Sequence, residues 1–329
     1  MSTTYAAPVT RAPSTVPSAP GETACADTIF QQPWWLDAVA PGGWEEVTCK
    51  RNGRTVARLP YVVRGRRGLR MLTQSTMTQT LGPWVQRPRT IGAAALSLEH
   101  ELLAELEAAL PPAQAFSQQF SPSILNALPF HWAGYRLEVR YTYRLNDLRS
   151  PDALWEGLRS NIRREIRKAR KRVEVVEGLG VDRFHEVLSK TYARQGLSTP
   201  RPLAELERLD EACARRGAGT MLFARDDAGD VHAGVWVVWD RQAAYYLLAG
   251  AEPSLRNSGA SSLLVWEAIM RSRARTAAFD FHGSMLQPIE RFFRSFGAQQ
   301  TPYLSVTRIH PAFRAALSAR SAVRRLASR

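Results

Sequence analysis

A short strand, a turn of small residues and a long apolar helix follow one another in YYLLAGAEPSLRNSGASSLLVWEAIM, residues 245–270. This succession restricts the chain to folds in which a sheet and its covering helices are built together. Ser258, Gly259, Ala260 and Ser261 let backbone N–H groups approach a ligand, while Leu263, Leu264, Ala268 and Ile269 suit the buried side of the helix. A helix N-terminus at this point offers unsatisfied donors and a partial positive field to a phosphate or a carbonyl group. The same residues serve equally well as a tight turn into a packed helix.

The rest of the chain alternates in the same manner. WEEVTCKRNGRTVARLPYVV gives two strands joined at Asn52-Gly53, a pair that adopts the positive φ of a tight hairpin. A third strand is expected at Leu69 to Leu72. In SLEHELLAELEAAL, Leu98, Leu102, Leu106 and Leu110 recur every four positions and Leu103 widens the stripe, which predicts an amphipathic helix. Strands are expected around Phe116 to Phe120 and Tyr135 to Tyr143. At NDLRSPDALWEGL the character changes: Asp147 or Ser150 can cap a helix that Pro151 begins, and a lobe boundary is expected between about residues 145 and 155. Beyond it, TMLFARDDAGDVHAGVWVVWD and RQAAYYLLAG supply a second hairpin and a further strand. The two halves thus share an order of elements without sharing detailed sequence.

The expected division is a disordered tail over residues 1–27, an N-terminal lobe over 28–150, a C-terminal lobe over 151–309 and a basic helix or tail over 310–329. The tail is rich in Pro, Ala, Ser and Thr, and the first lobe opens on an anchoring cluster of Phe30, Trp34 and Trp35. With 329 residues, of which 45% are hydrophobic and 22% charged, the chain has the material for two cores. Lys and Arg number 44 against 30 Asp and Glu, a net charge of +14 that favours polyanionic partners such as RNA, a phosphorylated cofactor or an acidic membrane surface. Cys25, Cys49 and Cys213 are odd in number and lack metal-ligand spacing, so neither a disulfide framework nor a metal site is expected. The first twenty residues have no apolar signal core, and no segment is apolar for long enough to span a bilayer; a cytoplasmic protein without a transmembrane segment is expected.

A second run, AAFDFHGSMLQPIERFFRSFGAQQTPYLSV, sets Phe279 and Phe281 on one side of a strand and Asp280 and His282 on the other. Gly283 ends that strand, Pro288 helps to start a helix, and Ile289, Phe292, Phe293 and Phe296 form its apolar face before Gly297 closes it. The run resembles the Phe-Asp-Phe-x-Gly-Ser and Phe-Phe-x-x-Phe-Gly signatures of the Fem-like and BioF2-like branch of the GNAT acyltransferase superfamily. The segment Arg256 to Ser261 likewise resembles the Arg/Gln-x-x-Gly-x-Gly/Ala cofactor loop of GNAT proteins, with Ser261 in place of the final Gly or Ala. The resemblance covers residues 30–309 and implies an α/β fold of tandem GNAT-like lobes, each a central mixed sheet flanked by helices. It also implies transfer of an acyl or aminoacyl group to an amine of a small molecule or peptide. The donor it implies is acyl-CoA or acetyl-CoA, with aminoacyl-tRNA as the alternative; a basic RNA- or membrane-binding protein on the same scaffold is the non-enzymatic alternative.

Acyl transfer to an amine requires a positioned donor, a free lone pair on nitrogen and stabilisation of the carbonyl oxygen. Asp280 or His282 can take the proton, or Asp280 can orient the amine; each can also serve the fold alone. By resemblance, backbone donors from Leu248 to Gly250 bind the carbonyl, Arg256, Ser258, Gly259, Ala260 and Ser261 hold the donor's phosphates, and Tyr303 protonates the leaving group. Gln79, Gly82 and Trp84 are candidates for a wall of the acceptor site. NIRREIRKARKR, residues 161–172, carries seven basic residues and one acidic one around an inward stripe of Ile162, Ile166 and Ala169. Arg163, Arg164, Arg167, Lys168 and Lys171 are therefore candidates for binding phosphate or RNA, or a solvated face. No side chain stands out as a nucleophile, which favours direct attack by the amine.

Overall fold

Left-handed backbone at Asn52 (φ 52°) and Gly53 (φ 75°) turns the chain back on itself at the pair that the sequence marks as a hairpin. The computed structural model describes residues 10–13, 25–65, 68–87, 91–194, 196, 201–283 and 285–313. The chain divides into two units, residues 1–140 with 302–329 and residues 141–301.

Unit 1 contains β1 (Thr10–Pro13), α1 (Pro33–Val39), β2 (Trp44–Arg51), β3 (Arg54–Arg64), β4 (Met71–Thr73), β5 (Trp84–Val85), α2 (Ala93–Ala108), β6 (Ala115–Gln119) and α3 (Leu128–Trp132). Its sheet runs β1, β2, β3, β4, β6 and then β13 (Gln299–Ile309), with β5 beside β3. The β4–β6 pairing is parallel and the others are antiparallel. Leu102, Leu103 and Leu106 of α2 pack on Val47, Leu59, Tyr61, Phe116 and Phe120. The expected stripe is shorter than its sequence pattern: Leu98 is exposed and Leu110 lies beyond the helix end. A repeat of four overshoots the helical period of 3.6 and drifts about 40° at each step, so a long four-residue series leaves the buried face. Of the expected tail, Thr10–Pro13 is a strand paired antiparallel with β2; residues 1–9 and 14–24 lie outside the described residues, as do 314–329 of the expected basic C-terminal helix.

Unit 2 contains the end of β7 (Arg136–Leu145), then α4 (Pro151–Gly157), α5 (Ser160–Ala169), β8 (Glu174–Val176), α6 (Gly180–Arg194), α7 (Leu203–Ala214), β9 (Gly219–Arg225), β10 (Val231–Trp239), β11 (Ala244–Ala251), α8 (Ala260–Ser272), β12 (Phe279–Asp280) and α9 (Gln287–Arg294). The sheet order is β8, β9, β10, β11, β12, β7, and here β11–β12 is the parallel pair. Alternation along the strands divides the core. Leu222, Ala224, Val235 and Val237 meet α5 and α8, while the intervening Phe223 and Trp236 meet Phe184 of α6 edge to face.

Both sheets therefore follow one plan: four strands joined antiparallel, a fifth added parallel, a sixth antiparallel at the end. The sixth strands are exchanged. β7 follows β6 in the chain, yet its Arg144 and Leu145 pair with β12; β13 follows β12, yet its residues 305–309 pair with β6. This exchange moves the division away from the expected lobes of 28–150 and 151–309, because residues 302–309 complete the first sheet and residues 141–145 the second. Strand patterning alone does not specify which neighbour a strand will choose.

Candidate active site

β11 changes neighbours along its length. At its start Ala244 and Tyr245 run parallel to Phe279 and Asp280, and the Ala244 N–H donates to the Ala278 carbonyl at 2.9 Å. The register against β10 then slips: Trp236 lies opposite Leu248 but Val237 lies opposite Tyr246. Leu247 is thus an extra residue, a bulge that bends its strand, and β12 pairs no further.

Past the bulge, alternation fixes which amides look outward. The Ala251 N–H donates to Thr191 Oγ1 at 2.7 Å, and the Glu252 N–H donates to the His232 carbonyl at 2.9 Å. Ala251 therefore faces away from β10, and so does Ala249 two residues earlier. Ala249 presents its N–H and carbonyl to the edge that β12 has left. Leu248 and Gly250, expected from the sequence as donors, stand opposite Trp236 and Gly234 and direct their amides to β10. Gly250 has a different role: a Cβ there would lie 2.7 Å from the Val187 carbonyl oxygen and 2.8 Å from Leu188 Cα, so its lack of a side chain lets the α6 backbone lie directly on β11.

The chain leaves β11 through a short 3-10 turn, Arg256–Ser258, and enters α8 at Gly259, whose φ of 84° is left-handed. Gly259, as the cap residue, offers no side chain to the first-turn N–H groups that follow it. Arg256, Asn257 and Ser261 are exposed; Ser258, Gly259 and Ala260 are buried, and Ser258 Oγ accepts from the Ala260 N–H at 3.3 Å. α5 lies close by, since a Cβ on Gly259 would meet the Glu165 carbonyl oxygen at 2.4 Å and its carboxylate at 3.2 Å. The structure thus keeps the predicted loop geometry and adds a negative group beside it.

At the end of β12 the predicted alternation is present. Phe279 and Phe281 join the α8 and α9 core, Phe281 stacking with Phe293 and Phe296. Asp280 and His282 form a buried pair joined through the backbone. Asp280 Oδ1 accepts from Thr142 Oγ1 at 2.5 Å and from the His282 N–H at 2.8 Å, while Oδ2 lies 3.6 Å from Arg144 Nε. This carboxylate holds His282 at φ 59°, an uncommon conformation for a residue with a side chain. Burial raises the Asp280 pKa, and Arg144, Thr142 and the His282 N–H oppose that rise. Burial, followed by the nearby Arg144 charge, pushes His282 well below its ordinary value, so its imidazole, 5.2 Å from the Tyr245 ring, is neutral at neutral pH.

The basic helix is partly committed to the fold. Arg163 donates to the carbonyls of Trp155, Glu156 and Leu158, Arg167 and Arg170 lie over the Trp155 ring, and Lys168 pairs with Glu165. Arg164, Lys171 and Arg172 are exposed. The remaining sequence candidates lie in unit 1. Gln79 gives its carbonyl to Gln74, and Trp84 is half-buried opposite Arg58. Gly82 packs so closely on Phe120 that a Cβ would come within 2.7 Å of its ring, and Tyr303 is buried on β13. None of these four belongs to the unit that carries Ala249, Gly259 and His282. Ala249 lies inside the expected range of donors from Leu248 to Gly250, but sequence reasoning missed Thr191, Thr142 and Arg144; Arg144, a charge next to the end of the strand RYTYRL, is the one that the pattern itself could have flagged.

The family model of the acetyltransferase (GNAT) domain matches residues 157–294, which hold the bulge, the Gly259 turn and the Asp280–His282 pair. Among solved structures, FemX is 13% identical with a TM-score of 0.60, over 84% of this chain and 91% of FemX. A tandem GNAT protein from the clavulanic acid biosynthesis pathway is 12% identical with a TM-score of 0.53, over 88% of this chain and 90% of its own. No curated protein matches the chain. Residues 157–294 thus match the GNAT domain family, and the chain as a whole has a mixed α/β fold similar to those of FemX and the tandem GNAT protein.

Proposed function

We propose that this protein is an N-acyltransferase that takes an acyl group from acyl-CoA, acetyl-CoA being the simplest, and transfers it to a primary amine of a small molecule or peptide. The observation that carries this reading is the outward amide of Ala249, set between the end of β12 pairing and the Thr191 contact. A thioester carbonyl docked at that edge accepts a hydrogen bond from the Ala249 N–H, a fixed donor for the charge that develops on oxygen. The amine nitrogen attacks the carbonyl carbon, the C–N bond forms, the C–S bond breaks and the thiolate leaves. The proton lost by nitrogen passes to water or to the departing sulfur. A direct attack suits the two buried thiols: burial raises the Cys49 pKa to about 12 and pushes that of Cys213 up as well, so neither supplies a thiolate nucleophile. The start of α8, where Ser258 takes the Ala260 N–H and the Gly259 cap brings no side chain to the others, suits the donor's diphosphate, with Ser261 and Arg256 exposed beside it.

A second reading, transfer of an aminoacyl group from charged tRNA, is favoured by Glu165. Its carboxylate stands where it opposes a diphosphate at Gly259, and exposed Arg164, Lys171 and Arg172 offer contacts to RNA phosphates. The test pairs donors with a variant. Wild type should acylate amines from acetyl-CoA or a longer acyl-CoA and not from charged tRNA. Ala249→Pro removes the outward N–H from a position where no ladder bond is lost, and should lower kcat about 100-fold or more. Transfer from charged tRNA alone would replace the first reading by the second, and unchanged kcat in the proline variant would remove Ala249 from either.

A further inference from the structure

The open edge of β11 is closed at its far end by a side chain instead of a strand. Thr191, in the last turn of α6, accepts from the Ala251 N–H at 2.7 Å and directs its hydroxyl at the Ala251 carbonyl, 3.1 Å away, and the Val187 carbonyl, 3.3 Å away. The hydroxyl oxygen thereby occupies the outward N–H of Ala251, as a neighbouring strand would, and its one proton is shared between the Ala251 and Val187 carbonyls. α6 is held in this position by its backbone contact with Gly250. Between the last β12 pairing and this clamp, Ala249 supplies the outward N–H of the edge.

We infer that Thr191 is a positioning residue: by occupying the Ala251 amide it leaves the donor's carbonyl a single N–H to meet, that of Ala249, and so a single register. This rests on the reading of Ala249 as the carbonyl-binding amide. Without the hydroxyl, Ala251 offers an equivalent amide two residues along, about 6.8 Å away. A carbonyl bound there is too far displaced for the attacking nitrogen, because misplacement of even about 1 Å suppresses an oriented reaction. The two amides then compete for one donor, and the second holds it unproductively.

Unproductive binding has a kinetic signature that simple loss of packing lacks. It lowers kcat and the donor's KM by the same factor and leaves kcat/KM unchanged. In Thr191→Val, and in Thr191→Ala should the valine variant fold poorly, both constants should fall together by about two- to ten-fold, the span of a single hydrogen bond. Thr191→Ser keeps the hydroxyl and should match wild type. Faster amide hydrogen exchange at Ala251 in the valine and alanine variants checks that the clamp has opened. Kinetics unchanged in both variants, or a fall in kcat with KM constant, overturns the inference while leaving the function intact. A wild type that transfers no acyl group from any acyl-CoA overturns the reading of the site, and this inference with it.

Discussion

His282 and Asp280 are buried side by side on opposite sides of an acid–base balance, and the pH dependence of stability separates them. The folded-state pKa of His282 lies below its unfolded value near 6.5, so its contribution is full above that pH. As the pH falls through 6.5 the unfolded chain takes up the proton first, and up to about 1.4 kcal/mol is lost per pH unit. Asp280 acts in the opposite sense, since its raised pKa favours the folded state in acid and withdraws that support as the pH rises. Thermal unfolding at about pH 7.5 and pH 5.5 should therefore show a drop in Tm that is smaller in His282→Gln than in wild type. The pair itself was legible: strand alternation placed Phe279 and Phe281 against Asp280 and His282, and the structure has that division. Its partners were not. Thr142 and Arg144 lie more than 130 residues earlier and reach Asp280 only because β7 pairs with β12. Nor could composition reveal that Ala249 is the outward amide, since a one-residue bulge at Leu247 sets the phase of every amide after it.

Between elements, the site depends on two places where backbone lies directly on backbone. α6 crosses β11 at Gly250, and α5 meets the start of α8 at Gly259. In Gly250→Ala the new methyl would stand 2.7 Å from a carbonyl oxygen, and in Gly259→Ala it would stand 2.4 Å from one with the left-handed φ of 84° as an added strain. Each substitution should cost about 1–3 kcal/mol, read as a lower midpoint of thermal or denaturant unfolding. Gly250→Ala should also weaken turnover, because α6 carries the hydroxyl that closes the strand edge. The sequence marked Gly259 as a place of close approach to a ligand, and by resemblance counted Gly250 among the backbone donors to one. At Gly250 the neighbour is another helix, and at Gly259 the Glu165 backbone comes equally close. A sequence pattern identifies the absence of a side chain more readily than it identifies what fills the space.

Over the whole molecule, the net charge of +14 gives any polyanion a general attraction that has to be separated from function. Four of the seven basic residues on and just after α5 already have carboxylate, carbonyl or aromatic partners. Binding of tRNA should accordingly be weak and equal for charged and uncharged forms, and should decline steeply with salt; filter binding across a salt series measures this. Preference for the charged form would instead support the aminoacyl donor. The duplicated plan of the sheets was visible as a repeated order of hairpin, helix and strand, whereas the exchange of their last strands left no mark on either half. That exchange bears on how the chain is made. During synthesis β6 emerges with its β13 side bare, and all of residues 141–301 must follow before its partner leaves the ribosome. At ordinary elongation rates the wait is on the order of ten to thirty seconds, long enough for the second unit to fold first. The first sheet thus keeps an open strand edge at β6 until the closing strand has been made.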